Sequence, residues 1–259
     1  MLAKVNACAV IGLEGVIVDV EVDLTPGIKP PIIIVGLPDV SVQESRERVQ
    51  SAIRNTGLEY PRKRVRVNLA PATVRKEGSA YDLPIALGIL IANRQLPPAC
   101  LQDALVMGEL SLDGSVRHIR GVLPMAAVAR NEGVKRVYVP AEDAPEAAIF
   151  PDLEVIPVNS LAELYQHLTG QVIIPPQPPL IAEQVEVQVL TDFREIKGQE
   201  HVKRALEVSA AGAHNLLMIG PPGAGKTLMA RALPSILPSM SIEESLDVTR
   251  IYSVADALP

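Results

Sequence analysis

The residues best suited to chemistry form a glycine-rich run that ends in a lysine and a threonine, Gly220-Pro-Pro-Gly-Ala-Gly-Lys226-Thr227. This G-x-x-x-x-G-K-[ST] spacing is typical of a loop that cradles the phosphates of a nucleotide. Gly223 and Gly225 allow the backbone to curl until successive N–H groups point at phosphate oxygens. Lys226 would bring a positive charge to the β and γ phosphates, and the Thr227 hydroxyl would bind Mg²⁺. The pattern therefore predicts a site for ATP and Mg²⁺.

The elements on either side of this loop match the context that the motif requires. The apolar run 215–219 predicts a buried strand before the loop, and residues 228–233 predict a helix after it. Another helix is predicted earlier, from Gly198 to Ala211. The predicted nucleotide-binding residues of the loop are Gly220, Pro221, Pro222, Gly223, Ala224, Gly225, Lys226, Thr227 and Leu228, with Thr227 also as the metal ligand.

An ATPase of this kind needs a second motif, a strand that ends in acidic residues, to hold Mg²⁺ and polarise water. No apolar run ending in Asp-Glu follows Thr227 in the 259 residues. We therefore expect this chain by itself to bind nucleotide but to hydrolyse little or none of it. We name no catalytic residue from the sequence.

Composition excludes several classes of protein. Apolar residues make up 48% of the chain and charged residues 21%, as in ordinary globular proteins. Cys8 and Cys100 stand alone, and the four histidines show no ligand spacing, so neither a disulfide scaffold nor a zinc site is expected. No apolar run approaches the roughly 20 residues that span a bilayer, and the N-terminus does not resemble a signal peptide. We expect a cytoplasmic protein without a membrane partner.

A proline-rich stretch divides the chain. Residues 173–180 contain four prolines, and an acidic, alternating segment follows them. The pattern predicts an N-terminal domain over 1–170, a linker over 171–191 and the incomplete beginning of a second domain over 192–259.

Both hydrophobic periods occur before the linker, which predicts a mixed α/β domain. Alternation predicts strands near 16–24 and 65–69, and apolar runs predict strands near 32–35, 104–110 and 135–139. Helices are expected from a capping box at Ser41-x-x-Glu44 to about Asn55, over 82–93, and over 121–132 with Gly133 closing the last.

A basic segment lies within the first domain. Residues 41–80 carry nine basic and four acidic side chains, among them Arg62-Lys-Arg64 and Arg66. Alternation along the strand places Arg64 and Arg66 on one face. That face is either a solvated sheet surface or a contact for the phosphate backbone of DNA, which would be salt-sensitive and sequence-tolerant.

Taken together, these residues resemble the magnesium-chelatase-like AAA+ ATPases of the YifB/ComM type along essentially the whole chain. The segments that carry the resemblance are Gly12-Leu-Glu-Gly15, Val35-Gly-Leu-Pro-Asp39, Val67-Asn-Leu-Ala-Pro71, residues 75–85, Met107-Gly-Glu-Leu110, residues 192–199, the phosphate loop and Thr249-Arg-Ile-Tyr-Ser253. The combination of these segments is specific for the family. Taken singly, none of the segments except the phosphate loop would be specific.

The resemblance implies a fold and a function for the complete protein. It implies an N-terminal domain similar to the Lon protease domain, with the fold of ribosomal protein S5 domain 2, followed by the start of a P-loop AAA+ domain. It implies a bacterial, cytoplasmic ring of subunits, taken as a hexamer, that hydrolyses ATP to drive branch migration on DNA. In AAA+ proteins of this kind, residues equivalent to Ile196 and Gly198 contact adenine.

Two other functions remain open at this point. The chain would fit a magnesium-chelatase-like subunit that couples ATP to metal insertion into a tetrapyrrole. It would also fit a non-catalytic module that binds nucleotide or DNA.

The likeness to Lon raises the question of peptidase activity. When Lys76-Glu77-Gly78 and Gly108-Glu109 are laid on the Lon pattern, Ala80 falls where the nucleophilic serine should be and Leu123 where the lysine should be. Ser79 is one residue away, but no lysine occurs between positions 77 and 134 to activate it. We therefore expect no peptidase activity.

Overall fold

The structure is a computed structural model that describes residues 2–27, 32–180 and 191–258. It divides into two compact units, Met1–Ile181 together with Asp247–Pro259 (unit 1) and Ala182–Leu246 (unit 2). Residues 181–190 of the predicted linker lie outside the described residues.

The described residues of unit 1 form nine strands. They are β1 (Leu2–Ile11), β2 (Glu14–Thr25), β3 (Ile33–Val35), β4 (Arg64–Ala70), β5 (Ala104–Val106), β6 (Glu109–Leu110), β7 (Val116–Arg117), β8 (Arg136–Pro140) and β9 (Glu154–Val158). Seven form one sheet in the order β3-β4-β2-β1-β5-β8-β9, and β6 and β7 form a separate hairpin. β2 is antiparallel to both of its neighbours, whereas the other pairs in the large sheet are parallel.

Helices cover the two faces of this sheet. They are α1 (Val40–Asn55), α2 (Asp82–Ala92), α3 (Val122–Asn131), α4 (Ala144–Ala147) and α5 (Leu161–Leu168). Alternate strand residues pack with α1, α2 and α5 in one core, and α3 and α4 form a second core with the other face. α2 is buried along its whole length, which explains why its sequence is apolar on every side. This mixed architecture confirms the predicted α/β fold class.

Helix α1 begins earlier than its capping box predicts. The N-cap residue is Asp39, whose carboxylate accepts a hydrogen bond of 2.8 Å from the amide of Val42. Ser41 therefore lies inside the first turn, so its hydroxyl does not cap the helix. Asp39 and Ser41 are both good capping residues, and the prediction chose the wrong one of the two.

The single strand predicted over 104–110 is two strands in the structure, β5 and β6. The strand is interrupted at Gly108, whose φ is +155°. The Gly108 amide donates a hydrogen bond to the carbonyl of Ala80 and not to a neighbouring strand. An added Cβ at Gly108 would lie 2.9 Å from a methyl carbon of Val116, so close packing requires glycine there.

Unit 2 is helical in the residues that the structure describes. Its helices are α6 (Glu200–Gly212), α7 (Lys226–Ala232) and the start of α8 (Ile242–Val254), with short 3₁₀ turns at Phe193–Glu195 and Leu233–Ile236. The strand predicted over 215–219 is not formed: Leu217 and Ile219 are 83% and 89% exposed. A strand requires a neighbour for its hydrogen bonds, and residues 191–246 contain no strand that could pair with it.

No helix within the described part of the chain is both long enough and apolar enough to cross a membrane.

Candidate functional site

The phosphate loop adopts a tight conformation that depends on its glycines. Gly223 and Gly225 have φ values of +80° and +83°, a region that side chains with a Cβ rarely adopt. Gly225 is the N-cap of α7, so Lys226 and Thr227 are the first two residues of that helix. The structure thus brings the lysine and threonine of the motif to the point where the loop becomes helix.

Lys226 closes this loop on itself. Its ammonium group donates hydrogen bonds to the carbonyl oxygens of Gly220 at 2.8 Å and Pro221 at 2.9 Å. Thr227 is exposed, and its hydroxyl has no partner among the described residues of unit 2. A cation held over the loop and an exposed hydroxyl beside it are the groups that a phosphate and its Mg²⁺ would require.

A small apolar core packs against the helix that follows the phosphate loop. Ile196, Leu206, Met229 and Ala232 are each at most 5% exposed and form one cluster. Met229 and Ala232 belong to the helix that follows the loop, so the core joins that helix to the segment around Ile196. Of the two residues expected at adenine, Ile196 is therefore mainly a core residue, whereas Gly198 is exposed with φ +76°.

The residues compared with the Lon peptidase pattern lie in unit 1, where a serine does meet an acid. The Ser79 hydroxyl donates a hydrogen bond to the Glu109 carboxylate. Ala80 and Leu123, at the positions of the expected nucleophile and base, are buried. The Ser79 hydroxyl therefore has a carboxylate acceptor, and among the described residues no lysine forms a hydrogen bond with it.

Lys76 is the nearest lysine in sequence, and it is engaged elsewhere. Its side chain is fully buried, and its ammonium group donates to the carbonyl of Pro71. Burial without a carboxylate partner lowers the pKa of Lys76. The side chain therefore ties the loop before α2 to the backbone.

A cluster of His118 with two aspartates in unit 1 was not predicted, since the sequence shows only that the four histidines lack ligand spacing. One ring nitrogen faces the buried carboxylate of Asp143, and the other lies 2.8 Å from a carboxylate oxygen of Asp256. Burial disfavours the charged ring, but hydrogen bonds and charges from the two aspartates outweigh it and raise the pKa of His118. These partners are 25 and 138 residues away along the chain, so no local signal marks the cluster.

The basic strand β4 lies beside an acidic strand. Arg66 pairs in register with Asp23, and Asn68 donates a 2.8 Å hydrogen bond to Glu21. Acidic side chains on β2 therefore offset the positive charge of this sheet face, which favours the solvated-surface interpretation for Arg64 and Arg66. The preceding Arg62 and Lys63 are exposed and form no ion pair with any residue that the structure describes.

Comparisons with known proteins match both parts of the chain. Residues 20–143 match the family model for subunit ChlI of Mg-chelatase, and residues 192–259 match that for magnesium chelatase, subunit ChlI. The competence protein ComM of Haemophilus influenzae is 39% identical over 256 residues, which cover 98% of this chain and 50% of ComM. YifB of Escherichia coli is 38% identical over 256 residues, covering 99% of this chain and 50% of YifB.

A more distant similarity concerns a protease. An archaeal Lon protease of Pyrococcus abyssi is 26% identical over 174 residues, covering 64% of this chain and 17% of that protein. This agrees with the predicted Lon-like domain followed by the start of a P-loop domain.

Nearly the whole of this chain aligns with ComM and with YifB. The chain spans about half the length of each of these relatives. Two matches to ChlI models and this extended identity lead to one conclusion: the protein belongs to the magnesium-chelatase-like family of YifB and ComM.

Proposed function

We propose that this chain is the nucleotide-binding part of an AAA+ ATPase. The observation that carries the proposal is the phosphate loop, in which Lys226 and the exposed Thr227 open α7 directly after two glycines in a left-handed conformation. Family membership supports the use of a nucleotide and Mg²⁺.

Each part of the loop has a role in this proposal. The Lys226 ammonium exchanges its two carbonyl partners for oxygens of the β and γ phosphates, because a charge-assisted bond to phosphate is stronger than one to a neutral carbonyl. The Thr227 hydroxyl would hold Mg²⁺, which would supply positive charge to the phosphates. As the family resemblance implies, the exposed Gly198 and the buried Ile196 would lie near the adenine.

We propose that the complete protein forms a cytoplasmic ring of subunits. In each subunit, the linker 171–191 joins the domain 1–170 to the domain that begins at residue 192. We propose a hexamer that couples ATP hydrolysis to branch migration on DNA, which is what the resemblance to the YifB/ComM type implies. The exposed cations Arg62 and Lys63 are the better candidates for contacts with DNA phosphates, because acidic neighbours offset Arg66.

Nucleotide binding is tested on the present chain with a fluorescent ATP analogue in the presence of Mg²⁺. Loss of one charge-assisted interaction in Lys226→Ala weakens affinity by about 10- to 100-fold. Lys135→Ala is the matched control, since Lys135 is exposed and its ammonium group forms no hydrogen bond or ion pair with any described residue. Equal affinities of the two variants would refute the proposed site.

The motor is tested on the full-length protein by measuring ATP turnover with branched DNA. We expect DNA to stimulate turnover, and the double variant Arg62→Ala/Lys63→Ala to require more DNA for the same stimulation, with a shallower dependence on salt. Stimulation by a tetrapyrrole and not by DNA would instead identify a metal-insertion subunit.

A further inference from the structure

A small cleft lies in unit 1 where the end of α2 meets the loop before β4. Four residues line this basic cleft, which are Lys63, Ala92, Asn93 and Arg94, and its volume is about 210 Å³. Lys63 and Arg94 are exposed, whereas Ala92 is buried. The cleft is smaller than the roughly 300–1,000 Å³ that is usual for ligand pockets, so it suits a compact group and not a whole nucleotide.

The two cations of the basic cleft come from segments that are distant in the sequence. Lys63 precedes β4, and Arg94 follows Asn93, the C-cap residue of α2. Neither the Lys63 ammonium nor the Arg94 guanidinium forms a hydrogen bond or an ion pair with any residue that the structure describes. An anion between them would relieve the repulsion of two like charges.

The acid nearest to Lys63 in the sequence, Glu59, does not neutralise the basic cleft. Its side chain is not part of the lining, and its carboxylate forms no ion pair with either cation. Glu59 contributes backbone groups instead. Its amide donates a 3.0 Å hydrogen bond to the Gln95 side chain, which donates one of 2.7 Å back to the Glu59 carbonyl. These bonds hold the two walls of the cleft together.

The end of α2 is capped on the side of the cleft. The carbonyl oxygens of Leu90 and Ile91 accept hydrogen bonds of 2.9 Å from the amides of Gln95 and Arg94. Free carbonyl groups at a helix C-terminus carry negative partial charge and disfavour anions. Because these two are bonded, the helix end opposes an anion less than an uncapped one would.

The backbone of Arg94 adopts a conformation that suits glycine better than arginine. Its φ is +64°, in the left-handed region, directly after the C-cap residue, where glycine is the usual choice. A residue with a Cβ is destabilised in this region. What arginine adds at this position is therefore its side chain and not a better helix end.

We propose that Lys63 and Arg94 together hold one phosphate group of a DNA backbone in the basic cleft. Both cations form charge-assisted hydrogen bonds to phosphate oxygens, and the planar guanidinium of Arg94 can donate two at once. Contacts of this kind position DNA without reading its sequence. The inference rests on the proposed function, in which the protein acts on DNA, and it extends the contact surface from the loop before β4 to the end of α2.

The test measures fluorescence anisotropy of a short labelled DNA duplex titrated with the intact chain. Arg94→Gln should weaken binding roughly tenfold. It should also make the slope of log affinity against log salt shallower by about one. Arg117→Gln is the matched control, because Arg117 is an exposed arginine of β7 that forms no ion pair with a described residue. Equal affinities of these two variants would overturn the proposal.

A second substitution at the same position separates binding from folding. Arg94→Gly removes the side chain and relieves the left-handed strain, so it should be at least as stable to urea as the parent. It should nevertheless bind the duplex as weakly as Arg94→Gln. Affinity equal to that of the parent would show that the side chain makes no contact with DNA.

A double-variant cycle tests whether one phosphate meets both cations. If Lys63 and Arg94 hold the same group, Lys63→Ala/Arg94→Gln should lose less affinity than the product of the two single losses. A loss equal to that product would indicate two independent contacts and would refute the shared site. With a duplex whose linkages are neutral methylphosphonates, the parent and Arg94→Gln should bind equally.

The variants also distinguish failure of this site from failure of the proposed function. Weaker binding by Arg62→Ala/Lys63→Ala, with parental affinity in both Arg94 variants, would refute the basic cleft and leave a DNA contact at the loop before β4. Unchanged affinity in every variant, or no binding of the duplex, would refute the cleft together with the proposed role of this surface.

Discussion

Arg48 holds the buried carboxylate of Asp82 with two nitrogens of its guanidinium group, at 2.6 and 3.1 Å. The pair joins α1 to the first residue of α2, and the amide of Leu110 donates a third hydrogen bond, of 3.2 Å, to the same carboxylate. Asp82 is fully buried, whereas the Arg48 side chain is 19% exposed. The acid therefore depends on the arginine for its charge compensation.

Arg48→Met should destabilise unit 1 by about 3–5 kcal/mol, because it leaves a buried carboxylate without its cation. The free energy of unfolding in urea measures this. Arg130→Met is the control: its pair with Asp152 is about half exposed on both sides, and such pairs contribute about 0–1 kcal/mol. A similar loss in both variants would contradict the role assigned to Asp82.

The same variant should show an unusual dependence on pH. Burial raises the pKa of Asp82, and Arg48 opposes that increase. A carboxyl group whose pKa is raised in the folded state is most stable when protonated. Arg48→Met should therefore regain more stability than the parent protein as the pH falls through the raised pKa, because Arg48 limits the increase of this pKa in the parent.

Thr227→Ala should weaken ATP binding in the presence of Mg²⁺ and have little effect in its absence, because the exposed hydroxyl is the proposed metal ligand. Thr227→Ser keeps the hydroxyl and should restore most of the affinity. Titrations of the same fluorescent analogue with and without Mg²⁺ measure both. An equal loss under the two conditions would show that Thr227 acts on the loop and not through the metal.

The His118 cluster should make attachment of the segment Asp247–Pro259 sensitive to pH. His118 faces Asp143, Asp256 and the Glu142 carboxylate, which accepts from its backbone amide. Its pKa is raised, so the protonated ring stabilises the attachment fully below its unfolded value of about 6.5 and progressively less as the pH rises through the folded pKa. The His118 hydrogen bond lowers the pKa of Asp256, so this acid stays charged across that window.

Hydrogen exchange at Ser253–Ala257 measures the attachment. The rates, corrected for intrinsic exchange, should increase as the pH is raised above about 6.5 in the parent and remain nearly constant in His118→Gln. Rates that rise equally in both proteins would assign the effect to other groups.

Both thiols should be unreactive in the folded protein. Burial raises the pKa of Cys8 to about 12 and that of Cys100 to about 11. Near pH 8 the thiolate fraction of Cys8 is then roughly 10⁻⁴, and the thiolate is the reactive form. Labelling with a thiol reagent should be slow for both residues until urea unfolds the chain. Rapid labelling of the Cys8→Ser variant would show that Cys100 is more accessible than its burial implies.

Local patterns determined the phosphate loop and most of the main elements. The loop follows from residue types at fixed spacing, because glycine conformation and the lysine charge are local properties. Alternation likewise predicted β2 and β4, since period-two burial is a property of one strand. β1 was missed: its inward residues include Ala3, Ala7 and Ala9, and alanine is a weak indicator of a strand.

Other features of the protein depend on contacts between residues that are far apart in the sequence, so only the tertiary structure reveals them. The run 215–219 has the composition of a strand but forms none without one beside it, because sheet hydrogen bonds join separate segments. His118 meets Asp256 across 138 residues. The nucleotide loop can be predicted from local sequence because its chemistry is contiguous, whereas the ion-pair cluster around His118 depends on the packing of remote segments.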